Sequence, residues 1–86
     1  MKHHADPDFW KLFDALPKKI QTLARKNFAL LRRNPKHPSL HFKRIGIYWS
    51  VRVGIDYRAV ADEAADGYLW FWIGSHKEYE RLIKGG

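Results

Sequence analysis

The sequence predicts an α+β domain, in which an N-terminal helical hairpin packs on an antiparallel sheet of three to four strands and a short C-terminal helix follows. Apolar residues recur at helical spacing in the first third of the chain, with an interruption at Pro17. The period then changes to strand-like alternation at Trp49–Ile55, and a helix-capping pattern runs from Ser75 to Glu78. We expect the 86 residues to form one domain.

The first helix is expected from Pro7 to about Ala15. Asp6 is a favourable N-cap residue, and proline suits the first helical position. The apolar residues that recur at helical spacing are Phe9, Leu12, Phe13 and Leu16. Residues 1–6 are expected to be a disordered tail, because two histidines and the proline that follows them make a poor strand.

A second helix should begin after Pro17, which disfavours helical geometry at the residue before it. Asn34 and Pro35 then stop this helix. Its apolar stripe consists of Ile20, Leu23, Ala24, Phe28 and Leu31, and most of its basic residues lie off that stripe. The two helices are therefore expected to form a hairpin whose outer face is basic.

Three strands follow from the pattern of the second half. Trp49–Ile55 alternates between apolar and polar residues, and Tyr57–Ala61 is a second strand. The segment from Asp62 to Gly67 is expected to be a hairpin loop. Tyr68–Ile73 is apolar on both faces, which is typical of a central strand. Leu40–Ile45 is a candidate fourth strand.

The C-terminal helix is predicted by a capping box. Ser75 would accept a hydrogen bond from the amide of Glu78, and the Glu78 carboxylate would reach back to Ser75. The helix should extend to about Ile83.

The charge distribution predicts a polyanionic partner. The net charge is +7, and no acidic residue occurs between Ala15 and Ile55, a stretch that contains ten lysines and arginines. Such a field attracts nucleic acid first, an acidic protein segment second and anionic lipid third. The alternative is a solvated basic face without a ligand.

Composition also narrows the class of protein. The chain has no cysteine, which excludes disulfides and a thiolate zinc site, and it has no apolar run long enough for a bilayer span. We expect a cytoplasmic protein without a membrane partner. Four histidines lack acidic or thiol ligands at suitable spacing, so no metal site is expected; they are His3, His4, His37 and His41.

Two segments resemble the RelE/ParE superfamily of type II toxin–antitoxin toxins. The segment from Tyr48 to Tyr79 is similar to the C-terminal sheet of RelE- and HigB-like members and reads YWSVRVGIDYRAVADEAADGYLWFWIGSHKEY. Upstream, the family's helical hairpin and the loop leading into its sheet are resembled by the segment LPKKIQTLARKNFALLRRNPKHPSLHFKRI. The similarity covers roughly Phe9 to Ile83. Family members usually begin with a β-strand, which the N-terminal residues here do not indicate.

The resemblance implies a toxin that is a ribosome-dependent mRNA endoribonuclease and inhibits translation without a metal or other cofactor. It also implies that the partners are a cognate acidic antitoxin, the ribosome and mRNA. Two alternatives stay open, namely a non-enzymatic gyrase inhibitor similar to ParE and an inactive toxin-derived binding module.

The same resemblance implies a set of site residues. The catalytic candidates are Arg58, His76 and Tyr79, and the candidates for RNA binding are Lys43, Arg44, Arg52 and Lys77. Each has a structural alternative: Arg58 could pair with Asp56 or Asp62, His76 could be an exposed residue of the cap, and Tyr79 could pack on the sheet. Ser50 and Arg52 occupy a strand where ribosome-dependent members often carry lysines.

The four strand aromatics next to these candidates are interpreted as core residues. They are Trp49, Trp70, Phe71 and Trp72, and each has apolar neighbours. Base stacking is the alternative role for them.

Overall fold

The computed structural model describes residues 1–85 and has an α+β fold. Three α-helices accompany one mixed sheet of five strands. In chain order the elements are β1 (Lys2–Ala5), α1 (Pro7–Asp14), α2 (Lys18–Arg33), a 3-10 turn (Pro38–Leu40), β2 (Lys43–Ile45), β3 (Tyr48–Val53), β4 (Tyr57–Ala64), β5 (Gly67–Ser75) and α3 (His76–Gly85). The sheet order is β1-β5-β4-β3-β2, with β1 parallel to β5 and every other pair antiparallel.

Helices α1 and α2 begin and end close to the expected residues. The Asp6 carboxylate accepts a hydrogen bond from the amide of Phe9 at 3.0 Å, which caps α1. At the turn between the helices, the Gln21 side-chain amide donates to the carbonyl of Leu16 at 2.9 Å. The helical hairpin and the fold class are thus confirmed. Within residues 1–85, no helix has the length and apolarity that a bilayer span requires.

The main core lies between the helical hairpin and one face of the sheet. Phe13 of α1 and Leu31 of α2 are nearly inaccessible and pack with alternate strand residues. These strand residues are Val51, Val53, Ala59, Ala61, Tyr68, Trp70 and Ile73. The side chains between them point to the other face, which we call the open face because α1 and α2 do not cover it.

Strand β1 corrects the expectation of a disordered N-terminal tail. Residues 2–5 pair with residues 67–70 of β5, and His3 docks on the core: its Nδ1 accepts a hydrogen bond from Trp70 Nε1 at 3.0 Å. The His3 ring also stacks on Tyr68, with the ring centroids 5.4 Å apart. A histidine that is poor in an isolated strand becomes favourable here because its imidazole completes an aromatic cluster.

The other strand boundaries differ slightly from the expected ones. Strand β4 extends to Ala64 and strand β5 begins at Gly67. The two strands are therefore joined by a two-residue turn and not by a six-residue loop. The segment from Leu40 to Ile45 divides into the end of a 3-10 turn and the short strand β2.

Candidate functional site

Two arginines lie side by side on the open face. Arg52 of β3 pairs in register with Arg58 of β4, and Arg58 pairs in turn with Gly74 of β5. Directly opposed residues of an antiparallel pair project to the same face with their Cβ atoms about 5 Å apart, and like charges in that position are destabilising. We call Arg52 and Arg58 the arginine pair. Because the pair weakens the sheet, its presence points to a ligand that carries negative charge.

No carboxylate neutralises Arg58. Its Nη1 donates to the main-chain carbonyls of Tyr57 at 2.9 Å and Ile55 at 3.4 Å, and among residues 1–85 it forms no salt bridge. Burial lowers the pKa of Arg58 below its usual value, and the charge of Arg52 lowers it further, whereas Tyr79 and Asp56 act in the opposite direction. The guanidinium still carries its charge at neutral pH.

Arg52 has a buried donor without an acceptor. Its Nε is shielded from solvent and has no hydrogen-bond partner within the described part of the chain, while its main-chain carbonyl accepts from the Asn27 side chain at 3.2 Å. Buried polar groups are rarely left unpaired, and an exception often indicates an absent ion or ligand. Two adjacent guanidinium groups can together bind one phosphate.

The capping box brings the start of α3 to the arginine pair. The amide of Glu78 donates to Ser75 Oγ at 3.2 Å, and Glu78 Oε1 accepts from the amide of Ser75 at 3.2 Å, as the sequence predicts. The amide of His76 also donates to the carbonyl of Asp56 at 2.6 Å. This bond fixes α3 to the turn between β3 and β4, the turn at which Arg52 and Arg58 converge.

His76 is oriented by a carboxylate that sequence reasoning missed. Its Nε2 lies 2.9 Å from Glu80 Oε1, one helical turn away, and its Nδ1 is buried with no partner among the described residues. A neutral imidazole in this pair carries its proton on Nε2, so Nδ1 keeps a free lone pair. The Tyr79 ring lies 6.0 Å from the His76 ring, centroid to centroid. The i,i+4 spacing of His76 and Glu80 was the available sequence signal.

The expected RNA-binding residues divide between the two faces. Lys43 pairs with Ser50 and therefore shares the open face with the arginine pair. Arg44 pairs with Trp49 and projects to the helix side, where its Nε donates to the carbonyl of Gly46 at 3.1 Å. Lys77 is exposed on the first turn of α3. The arrangement brings together Arg52, Arg58, His76 and Tyr79, whereas Arg44 lies apart from them.

This set of groups can act on a phosphate ester. Two guanidinium groups bind and neutralise phosphate oxygens, and an imidazole and a phenol can transfer protons. Within residues 1–85, no group of three or more His, Cys, Asp or Glu side chains could hold a metal ion.

The helical hairpin and the mixed sheet have the fold of solved RelE toxins. The chain belongs to the family of the ParE-like toxin domain, whose model matches residues 18–81. The family match and the fold together make it a toxin of the kind found in toxin–antitoxin systems. No curated protein sequence matches the chain significantly.

Three solved structures illustrate the fold at low sequence identity. A chain of the RelB–RelE antitoxin–toxin complex from Methanococcus jannaschii has a TM-score of 0.71 and 17% identity, with 92% of this chain and 96% of that chain covered. A copper-bound mutant toxin from Helicobacter pylori has a TM-score of 0.64 and 18% identity, with 91% of this chain and 97% of that chain covered. The isolated RelE toxin of E. coli has a TM-score of 0.62 and 12% identity, with 96% of this chain and 95% of that chain covered.

Proposed function

We propose that the protein is the toxin of a type II toxin–antitoxin system and acts as a ribosome-dependent mRNA endoribonuclease that inhibits translation. The observation that carries this proposal is the arginine pair, with its two opposed guanidinium groups and a buried Arg52 donor that lacks an acceptor. A site that concentrates positive charge at a cost to the sheet is suited to a scissile phosphate. The proposal places the protein in the cytoplasm, where ribosomes and mRNA are found.

The proposed reaction is an internal transesterification. The 2′-oxygen attacks the adjacent phosphorus, the bond to the 5′-oxygen breaks, and the products end in a 2′,3′-cyclic phosphate and a 5′-hydroxyl. Arg52 and Arg58 hold the non-bridging oxygens and stabilise the charge that develops on the phosphorane. No co-reactant is consumed, because the proton lost by the 2′-hydroxyl balances the proton gained by the leaving 5′-oxygen.

His76 and Tyr79 are proposed to transfer those protons. Both lie on the first turn of α3, which the bond from the His76 amide to Asp56 holds beside the arginine pair. Glu80 pairs with His76 Nε2 and orients the imidazole ring. Arg58 cannot serve as the base at neutral pH, which leaves His76 and Tyr79 as the titratable groups with suitable chemistry.

The remaining basic residues are proposed to position RNA. Lys43 on the open face and Lys77 on α3 would contact phosphates of the cleaved strand, while Arg44 on the helix side would contact ribosomal RNA. Such contacts carry little sequence information, but they make association strongly dependent on salt.

Induced expression in bacterial cells tests the enzymatic proposal. The wild type should arrest growth and protein synthesis, and mapping of mRNA 5′ ends should reveal new cuts. Arg58→Ala and His76→Ala should lower cleavage on the order of a hundredfold to a thousandfold. Lys18→Ala is a matched control, since it removes one exposed charge from the first turn of α2. Arrest by the wild type with intact mRNA would refute the endoribonuclease.

A second function is favoured by the family model, which is that of the ParE-like domain. Non-enzymatic inhibition of DNA gyrase would not need the proton-transfer residues. It would produce DNA damage without translational arrest, and toxicity would survive the Arg58→Ala, His76→Ala double substitution.

An acidic antitoxin is the proposed silencing partner. A cleft of about 660 Å³ opens between β1, α1, α2 and the core face of the sheet. Its apolar wall includes Phe28, which is 40% exposed, and Trp10, which is 44% exposed. Arg25 and Arg32 border the same cleft, and no Asp or Glu lines it. An amphipathic segment with acidic residues would match both the apolar wall and the charged border.

Co-purification with the acidic protein encoded beside this chain tests the partner proposal. Phe28→Asp should weaken the complex, because it places a carboxylate in the apolar wall. Ile47→Asp is the matched control, since Ile47 is 70% exposed in the turn between β2 and β3, outside the cleft. A complex that tolerates Phe28→Asp as well as Ile47→Asp would exclude the cleft as the docking site.

A further inference from the structure

Three aromatic strand residues lie outside the main core. Tyr48, Phe71 and Trp72 are half-buried and belong to neither the core cluster nor the side chains packed against it, whereas Trp49 and Trp70 do. The interpretation of Phe71 and Trp72 as core residues is therefore wrong. They contribute to the open face, the face that carries the arginine pair.

An irregular register brings Phe71 to Tyr48. Val60 of β4 pairs with Trp72 and Ala61 pairs with Trp70, so Phe71 has no partner across the ladder. Bulges of this kind re-aim side chains. The Phe71 ring reaches across β4 to the Tyr48 ring, with centroids 5.5 Å apart and an interplanar angle of 56°. The two rings form a small aromatic surface, which we call the ring pair.

The ring pair and the arginine pair lie on the same face of the sheet, separated along the strand direction. Tyr48 precedes Arg52 by four residues on β3, so both project to the open face about 13 Å apart. A few nucleotides of single-stranded RNA span that distance. Lys43, which pairs with Ser50, lies between the two sites at the sheet edge and can neutralise an intervening phosphate. Helix α3 packs on β4 and β5, and Ser50 between the two sites is buried, whereas Lys43 is exposed, so the RNA strand would pass along the β2 edge of the face.

The charge next to the ring pair favours a base over a phosphate. Asp62 pairs in register with Tyr48, is exposed and projects to the same face. Its carboxylate repels a phosphate but accepts a hydrogen bond from the amino group of a base. Aromatic rings bind the flat faces of unstacked bases, with little dependence on base identity.

We propose that the ring pair is a nucleobase-stacking subsite for a nucleotide that flanks the scissile phosphate, with Asp62 beside the base edge. This inference rests on the proposed endoribonuclease function. Tyr48 and Phe71 are positioning residues, because they hold the strand in register with the arginine pair without touching the reacting atoms. The half-buried Tyr48 and Phe71, the bulge that brings their rings together and the lysine on the path to Arg52 form one nucleotide track.

The test is mRNA cleavage on programmed ribosomes in a purified translation system, with 5′-end mapping of the cuts. Tyr48→Ala should lower cleavage roughly tenfold to a hundredfold, the equivalent of losing one stacked base. It should also remove the base preference seen in the mapped cuts at one fixed position relative to the cleaved bond. Tyr48→Phe keeps the ring and should restore both rate and cut-site pattern, and Leu12→Ala removes an exposed apolar side chain of α1 outside the cleft and should change neither.

The outcomes separate this inference from the function on which it rests. If the wild type cuts and Tyr48→Ala cuts equally fast at the same positions, the subsite is refuted and the endoribonuclease stands. If the wild type leaves mRNA intact, both are refuted. If Tyr48→Ala loses rate but keeps the cut-site pattern, and Tyr48→Phe does not recover the rate, the ring has a structural role and the subsite is refuted.

Discussion

A methyl group at Gly67 should detach strand β1 from the sheet. Lys2 of β1 pairs with Gly67 of β5, and a Cβ atom built on Gly67 would overlap the carbonyl group of Lys2. The atoms involved belong to the main chain, so no change of rotamer relieves the overlap. Because β1 is a four-residue edge strand, we expect it to give way while β5 stays in place.

The structure sets the size of the effect. Detachment would break the bonds from the Lys2 amide to Asp66 at 2.9 Å, from the Asp6 amide to Trp70 at 3.0 Å and from Trp70 Nε1 to His3 at 3.0 Å. Each hydrogen bond contributes about 1 kcal/mol net, and ring stacking of His3 adds about 1 kcal/mol. We therefore expect Gly67→Ala to lower the free energy of unfolding by about 3–5 kcal/mol, a large part of the stability of a small domain.

Equilibrium unfolding in urea measures this loss, and hydrogen exchange of residues 2–5 shows whether β1 is the strand that detaches. Gly46→Ala is the control, because Gly46 has a φ of +60° but nothing within 4 Å of an added Cβ. It should cost only the left-handed backbone strain of about 1 kcal/mol. If Gly67→Ala costs no more than Gly46→Ala, or if the amides of β1 stay protected, the reasoning is refuted.

Three further predictions concern charge and capping. Burial, followed by the N-terminal ammonium group and Arg32, lowers the pKa of His3, so the folded state binds its proton less readily than the unfolded chain. The contribution of His3 to stability is full above about pH 6.5 and is lost as the pH falls from there through the folded pKa. His3→Phe should flatten this part of a curve of unfolding free energy against pH. An unchanged slope would contradict this prediction. Arg52→Met should raise the free energy of unfolding by about 0.2–1 kcal/mol, because it removes a like-charge opposition, while mRNA cleavage is lost; a destabilised variant would show that the arginine pair supports the fold. Ser75→Ala should lower the free energy of unfolding by about 1 kcal/mol and fray α3. Circular dichroism measures the helix content, with Ser39→Ala as the control. Full helix content in Ser75→Ala would argue against the cap.

The local elements were predictable because their signals are local. Proline positions and apolar periodicity defined α1 and α2, and the capping box defined the start of α3. Strand β1 was not predictable from its own residues, since His3 is stabilised by Trp70 and Tyr68 from far along the chain. One signal for it existed: β5 is apolar on both faces, and a central strand needs a neighbour on each side.

The composition of the candidate site was predictable, but its geometry was not. Arg58, His76 and Tyr79 could be named from the family resemblance. The opposition of Arg52 and Arg58 depends on the register of β3 against β4, which a sequence does not specify when a bulge follows in the next pair. Gly67 was interpreted as a turn residue, yet its lack of a side chain also leaves the space that the main chain of β1 occupies. The bulge at Phe71 is likewise a property of the assembled sheet.

The arginine pair is proposed to bind the phosphate of an mRNA that the protein cleaves. The most direct measurement is the chemistry of the RNA ends after wild type and Arg58→Ala protein act on the same ribosome-bound mRNA. We expect fragments with 2′,3′-cyclic phosphate and 5′-hydroxyl ends from the wild type, and intact mRNA from Arg58→Ala at equal protein concentration. Intact mRNA in both reactions, or identical cleavage by both proteins, would contradict it.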